Sequence, residues 1–322
     1  MPDPTLTTLS SIVKPELAGK NLLDYLCARF PYKDREAWRD EIKLGRLTVN
    51  DKVPNPKERL GKGAKVSYTS QRNEPPVARD IPTLWEDEHL LVVNKPAPLP
   101  VHSDGVFITN TLINILRQRT GNAELGLGHR LDRETSGVLV LAKTRPMIAK
   151  IMAAFDDHSL EKWYLAVGRG TAGFKETMIK GGMGKAAESK IDLRQKMFDS
   201  NAPGTKDSIT RFMVKEQLQG YVLLACNPLT GRTNQIRVHL EALGLPLAGD
   251  KLYGRTDDEY LGFIAHVKAG GDQGMAGKLD APRHMLHAWK LSLKHPVTGE
   301  RMSWEAPMPG DMQEFIKVHR GA

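Results

Sequence analysis

The run VLVLA at residues 138–142 follows directly on GHRLDRETSG, which crowds a histidine, two arginines, an aspartate and a glutamate into ten residues. A five-residue apolar run with no polar residue to face water predicts a strand covered on both faces. Ser136-Gly137 punctuates a turn ahead of it, so the charged residues occupy the loop that enters the strand. A carboxylate at Asp132, between Arg130 and Arg133, would be held ionised by its positive neighbours. By composition alone this is an ion-paired loop. A functional loop is the competing reading.

The rest of the chain sets that strand in a mixed architecture. LLVVN, WYLAVG and YVLLAC are further short strands, and NTLINILRQ and PMIAKIMAAFDDH read as helices. In the second helix Met147, Ile148, Ile151, Met152 and Phe155 form a stripe expected to be core. Strands outnumber long helices, which predicts an α+β domain with a mainly antiparallel sheet and flanking helices. SQRNEPPVARD is polar, carries Pro75-Pro76 and lacks periodicity, and is expected to be a linker. The predicted division is therefore a small α/β unit over 1–72, a linker over 73–82 and a larger domain over 83–322. In the small unit KNLLDYLCARF and DREAWRDEI read as helices, and GRLTVNDKV and GKGAKVSY as strands. KMFDSNAPGTKD and KAGGDQGMAGKLDAP read as exposed loops.

Composition narrows the function classes. Lys plus Arg number 46 against 38 Asp plus Glu, a net charge of +8, which favours a polyanionic partner. The two cysteines, Cys27 and Cys226, are too far apart for a metal knuckle and too few for a disulfide scaffold, so a reducing, cytoplasmic setting is expected. MPDPTLTTLSSIV lacks the basic start and apolar core of a secretory signal, and no apolar run approaches the roughly 18 residues of a membrane span.

A second chemistry-bearing stretch is LTGRTNQIRVHLEALGLPLAGDKLYG, residues 229–254. Ile236, Leu240 and Leu243 share one face of a short helix, which leaves Arg232, Arg237 and His239 on a polar side able to clamp phosphate or carboxylate. Taken alone, this too reads as a solvated helix face.

Together the two stretches resemble the RluA-type pseudouridine synthases, which isomerise uridine in structured RNA. HRLDRETSGVLVLAK is similar to that family's HRLDRxTSGLLLxAK, and GRTNQIRVHLEALGLPLAGDKLYG to its GRTHQIRVHLxxxGxPIxGDxxYG. EKWYLAVGRG resembles its Lys-x-Tyr strand, LWEDEHLLVVNKPAPLPVH its opening strand and Lys-Pro turn, and RHMLHAWKLSLKHPVTGE its closing segment. GRLTVNDKVPNPKERLGKGAKVSY is similar to a small RNA-binding domain first described in a ribosomal protein.

The resemblance implies a pseudouridine synthase fold, ribosomal or transfer RNA as partner, a monomer, and neither cofactor nor metal. It assigns Asp132 as the catalytic carboxylate, Arg237 as its partner, and Tyr164 against the uracil. It implies that Arg130 fills the gap left by an extruded base, with His129, Arg133, Arg232, Asn234, Lys43 and Arg46 as further RNA contacts. Asn234 departs from the family's usual His and cannot become cationic. Two alternatives differ in class. A metal hydrolase could use His284 and His287, but no third ligand has convincing spacing; a catalytically silent RNA-binding protein would not need Asp132, Tyr164 and Arg237 together.

Overall fold

The computed structural model describes residues 5–55, 57–72, 74–103, 106–156, 160–200, 202–268 and 279–321. The chain divides into two compact units, Met1–Pro75 and Pro76–Ala322.

The first unit runs β1 (Thr5–Ile12), α1 (Leu22–Arg29), α2 (Arg35–Lys43), β2 (Leu47–Val49) and β3 (Lys65–Arg72), with an antiparallel sheet in the order β1-β3-β2. Asn21 and Asp34 accept the N–H groups of Asp24 and Ala37 and so cap the two helices. Trp38, Tyr25 and Leu47 form a core with Tyr68 and Val66. Strand β1 is absent from the sequence reading. Its TLTTLSSI lacks polar–apolar alternation, and Leu9 and Ile12 are exposed, so only its eight-residue pairing with β3 defines it.

The second unit comprises β4 (Thr83–Glu86), β5 (Leu90–Lys95), α3 (Leu112–Thr120), β6 (Gly126–Leu127), β7 (Ser136–Ala142), α4 (Arg145–Asp156), β8 (Glu161–Arg169), β9 (Glu176–Lys185), β10 (Gln195–Phe198), β11 (Lys206–Gln217), β12 (Tyr221–Pro228), α5 (Gln235–Ala242), α6 (Asp257–Lys268), β13 (Leu286–Lys294), β14 (Arg301–Glu305) and α7 (Gly310–His319). Its sheet has the order β10-β9-β11-β12-β8-β13-β7-β5-β4, with β14 on β13 and β6 on β7. All of these pairings are antiparallel except β13 with β7, where His287 faces Ser136 and Ala288 faces Gly137. The expected α+β class with a mainly antiparallel sheet therefore holds.

Strand β7 is the VLVLA run, and both its faces are covered. Val138, Val140 and Ala142 pack with Leu90, Val92 and Ile151 on one side. Leu139 and Leu141 pack with Leu91, Val93 and Leu116 on the other. Two sequence expectations need correction. Met152 of the α4 stripe is 49% exposed, because Ile151 is the residue that enters the core. The ends of KMFDSNAPGTKD belong to β10 and β11 rather than to a loop. Most of KAGGDQGMAGKLDAP lies outside the described residues.

Candidate functional site

The charged loop 128–135 is fixed from beneath before it enters β7. Lys95, fully buried, donates its Nζ hydrogens to the carbonyls of Pro96, Leu99 and Arg133, and Leu99 N–H donates to the same Arg133 carbonyl. Burial, followed by the nearby Arg283, pushes the Lys95 ammonium well below the ordinary lysine range. His284 and His287 hydrogen-bond Thr135 and Ser136 at 2.8 and 2.9 Å. The two imidazoles, weighed above as metal ligands, are buried struts of the loop. Gly137 completes the mounting: its φ is +115°, and a Cβ there would meet the Ala288 carbonyl at 2.1 Å, so only glycine lets β13 close on the loop exit.

On this mount the Asp132 side chain stays 37% exposed and accepts a hydrogen bond of 3.3 Å from Arg237 Nη1. Arg237 projects from α5 and is held more tightly by a second carboxylate. Its Nε and Nη2 grip Asp250 in a fork at 2.7 and 2.8 Å, and Nη1 also donates to Asn234 Oδ1 at 3.0 Å. The guanidinium lies over the Tyr253 ring, 4.8 Å from its centroid. Burial opposes charge at both members of the inner pair, yet their mutual attraction wins. Asp250 lies well below the usual carboxylate range and Arg237 above the usual guanidinium range. Asp250 also accepts the N–H groups of Leu252 and Tyr253. The preceding Gly249 has φ +72°, and a Cβ there would lie 2.0 Å from the Arg283 carbonyl.

Tyr164, Ala288 and Gly137 stand in one row across β8, β13 and β7, which brings the tyrosine to the sheet end where the loop enters. Burial first, and the charge of Asp132 second, raise the ionisation of its phenol above the ordinary range. The group is a neutral O–H at physiological pH.

A parallel link braces the same two segments. Lys251, next to Asp250, donates to Glu134, two residues beyond Asp132. Burial works to raise the Glu134 carboxyl, but His284, Lys251 and Arg133 bring it down to about 2. His284 is itself pushed down to about 4 by burial, so at neutral pH Lys251 and Arg133 meet the charge. A carboxyl lowered from 4.5 contributes stability that is full above about 4.5 and lost as pH falls through about 2. Glu134→Gln should therefore destabilise the protein by about 2 kcal/mol at neutral pH. Denaturant midpoints at a series of pH values should show the gap to the parent closing in acid; a constant gap would contradict the pairing.

The remaining expected RNA contacts fall into two groups. Arg130 is exposed and has no hydrogen bond or ion pair among the described residues, and Lys43 is exposed with one long bond to Asp40 at 3.3 Å. Arg232 is half-buried and spends only its Nε, on the Asp207 carbonyl. Others are turned inward. The His129 ring stacks on Phe155, with centroids 4.1 Å apart, and its Nε2 accepts the Val140 N–H. Asn234 adopts φ +58°, which asparagine tolerates, and bonds Arg237 and Tyr253. It belongs to the arginine mount and has no free donor pair for phosphate. Arg46 pairs with the buried Glu41 at 3.1 Å, and Arg133 with Glu134 at 3.1 Å while lying over Phe107. His239, read as lining a polar helix side, is fully buried and hydrogen-bonded to Ser208 at 2.9 Å. That helix packs against β10 as well as on β11 and β12, so more than one of its sides is covered.

Asp250, Lys251, Glu134 and Lys162 join the site although none of them is a candidate on sequence alone. A signal existed for the first two: a Gly-Asp-Lys step after an apolar LPLA, which charge would not follow without a buried partner.

A family model described as RNA pseudouridylate synthase matches residues 89–242. A ribosomal large subunit pseudouridine synthase D of Neisseria meningitidis serogroup A is 33% identical over 316 residues, covering 95% of this chain and 80% of that protein. The enzyme of the same name from Pseudomonas aeruginosa is 33% identical over 95% of this chain and 93% of its own. Among solved structures, human RNA pseudouridylate synthase domain containing 1 superposes with a TM-score of 0.57 at 28% identity, over 73% of this chain and 86% of that one.

Proposed function

This chain belongs to the RNA pseudouridylate synthase family and is an RNA pseudouridine synthase; from that premise we propose that it acts on a uridine in folded large-subunit ribosomal RNA, with Asp132, Arg237 and Tyr164 as its catalytic group. One arrangement supports the residue assignment. A half-exposed carboxylate is bonded to a guanidinium that a second, fully buried carboxylate locks in place.

The reaction breaks the bond from ribose C1′ to uracil N1, turns the base and joins C1′ to C5. N1 gains a proton and C5 loses one, so neither redox chemistry nor water enters the balance. Asp132, kept anionic and aimed by Arg237, supplies the carboxylate at the reacting nucleotide. Tyr164 offers its ring to the turning uracil, and its neutral hydroxyl can pass on the C5 proton but cannot act as a standing phenolate. The target must leave its stack to reach Asp132, at a cost of roughly a few kcal/mol. Arg130, exposed two residues before Asp132 and free of intramolecular partners among the described residues, is suited to stack where the base had been. The chain acts as a monomer in the cytoplasm on this reading; among the described residues no helix is long and apolar enough to cross a membrane.

Release of tritium from large-subunit RNA labelled at uridine C5 tests the proposal, and mapping of pseudouridine in cells with and without the protein locates the site. Modification confined to transfer RNA would overturn the assigned target. Arg130→Ala should slow the reaction on a structured RNA about tenfold more than on an unstructured strand, the flipping cost being smaller there; equal losses would remove its role in holding the gap.

A further inference from the structure

Lys162 sits two residues before Tyr164 on the same face of β8 and is largely buried, yet among the described residues it has no carboxylate partner. Among the described residues its Nζ reaches only the Thr230 carbonyl, at 3.4 Å, and lies 5.8 Å from the centre of the Phe155 ring. The other charge that acts on it is Arg232, which repels it. No ion pair is formed by Arg232 either among the described residues, and its terminal guanidinium nitrogens are left over once Nε has bonded the Asp207 carbonyl. Two cations thus act on one another beside the catalytic group, with no carboxylate paired to either among the described residues. Burying an ammonium without a counter-charge costs several kcal/mol, and a fold keeps such a group where a ligand supplies the missing charge.

The loop that carries Arg232 is built to hold this position. Gln235, buried, accepts from Thr230 Oγ1 at 2.7 Å and from the Arg232 N–H at 2.9 Å, and donates to the Ile209 carbonyl and Thr210 Oγ1, each at 2.9 Å. Thr230 Oγ1 in turn accepts the Ile209 N–H at 2.9 Å. Residues 229–235 are therefore pinned to β11. Gly231 leaves the space before Lys162 clear: a Cβ there would meet nothing but Lys162 Nζ, at 3.8 Å.

We propose that Lys162 and Arg232 form a subsite for one backbone phosphate of the RNA strand that carries the target uridine, fixing how far the flipped nucleotide reaches toward Asp132 and Tyr164. The inference rests on the pseudouridine synthase reading and adds to it a specific anion contact. A phosphodiester matches both groups: the guanidinium offers paired donors and the ammonium a point charge. Among the described residues the groups facing Lys162 are Arg232 from the loop before α5, the Thr230 carbonyl, Phe155 from α4, and His129 from the loop before β7. Burial, and next Lys162 itself, push His129 down to about 3, so it stays neutral, and Lys162 is the one group of this set that titrates near neutrality. Burial and then Arg232 bring it down to about 8.

Lys162→Met, Lys162→Arg and Arg232→Gln separate the outcomes in the full-length protein with C5-tritiated large-subunit RNA. In Lys162→Met, KM should rise about tenfold with a much smaller change in kcat, and the slope of log affinity against log salt should fall by about one. The thermal midpoint should hold or rise, since an unpaired buried charge has been removed. The arginine variant should restore the salt slope. In the parent, kcat/KM should fall as pH rises through about 8, where the ammonium is lost, and Lys162→Arg should flatten that limb. Arg232→Gln should lower the salt slope in the same way. An unchanged salt slope in an active, folded Lys162→Met, or a lowered thermal midpoint with unchanged KM, would overturn the subsite and leave the enzyme assignment standing. A parent protein that releases no tritium would overturn the assignment itself.

Discussion

Asp132→Asn should slow pseudouridine formation by on the order of a thousandfold or more, the range over which a positioned carboxylate contributes to proton transfer or covalent chemistry. RNA affinity should stay within a few-fold of the parent. So large and so selective an effect follows from how Asp132 is held. Asparagine keeps the shape of the side chain and can still accept from Arg237, so the loop has no reason to move. Its mount is made of other bonds: three from Lys95, two from the imidazoles of His284 and His287, and the Glu134–Lys251 link. Stability should change by less than about 1 kcal/mol, because Asp132 is 37% exposed and Arg237 retains its fork on Asp250. The change therefore removes a negative charge at the reacting nucleotide and little else. Single-turnover tritium release beside a filter-binding isotherm would measure both quantities. Product at near-parent rates would remove Asp132 from the chemistry.

How much of this could be read beforehand depends on what each element buries. VLVLA announced a strand covered on both faces because no polar residue interrupts it, and the cores on its two sides bear that out. Strands β1 and β9 were not legible. The first is polar and half of its definition is its partner; the second is rich in glycine, with Gly181, Gly182 and Gly184 pressed against Met197, Thr205 and Phe198, so it lacks the branched residues that mark a strand. In the site, one-stripe helical reasoning puts Ile236 and Leu240 inside but sends His239 outside, and the resemblance gives Asn234 to the RNA. A helix of eight residues packed on more than one side has little solvated face to give. Charge itself misled most. Glu134, Asp250, Lys251 and Arg283 are all buried, and local sequence cannot show that Glu134 meets Lys251 117 residues away, Asp250 meets Arg237 on the preceding helix, and Arg283 meets Asp311 28 residues on.

The second large effect concerns that counter-charge. Asp250→Ala should destabilise the protein by about 3–5 kcal/mol, the cost of leaving one member of a buried pair uncompensated. The side chain of Asp250 has no exposure and that of Arg237 only 12%. Water therefore cannot replace the carboxylate easily. The same variant should lose most activity, because Arg237 is aimed by Asp250 at 2.7 and 2.8 Å and only reaches Asp132 at 3.3 Å. Freed from the fork, the guanidinium would move toward Asp132, its nearest remaining carboxylate, and would cover the group the uridine has to meet. The two losses come apart in a double variant. Arg237→Met with Asp250→Leu replaces the pair by apolar groups of similar volume, an exchange that is often neutral or stabilising. Its unfolding midpoint should return most of the way to the parent, giving a large favourable coupling in the double-mutant cycle, while tritium release stays at the level of Arg237→Met alone. Recovery of activity together with stability would mean that the buried pair holds up the fold and that Asp132 needs no guanidinium to do its work.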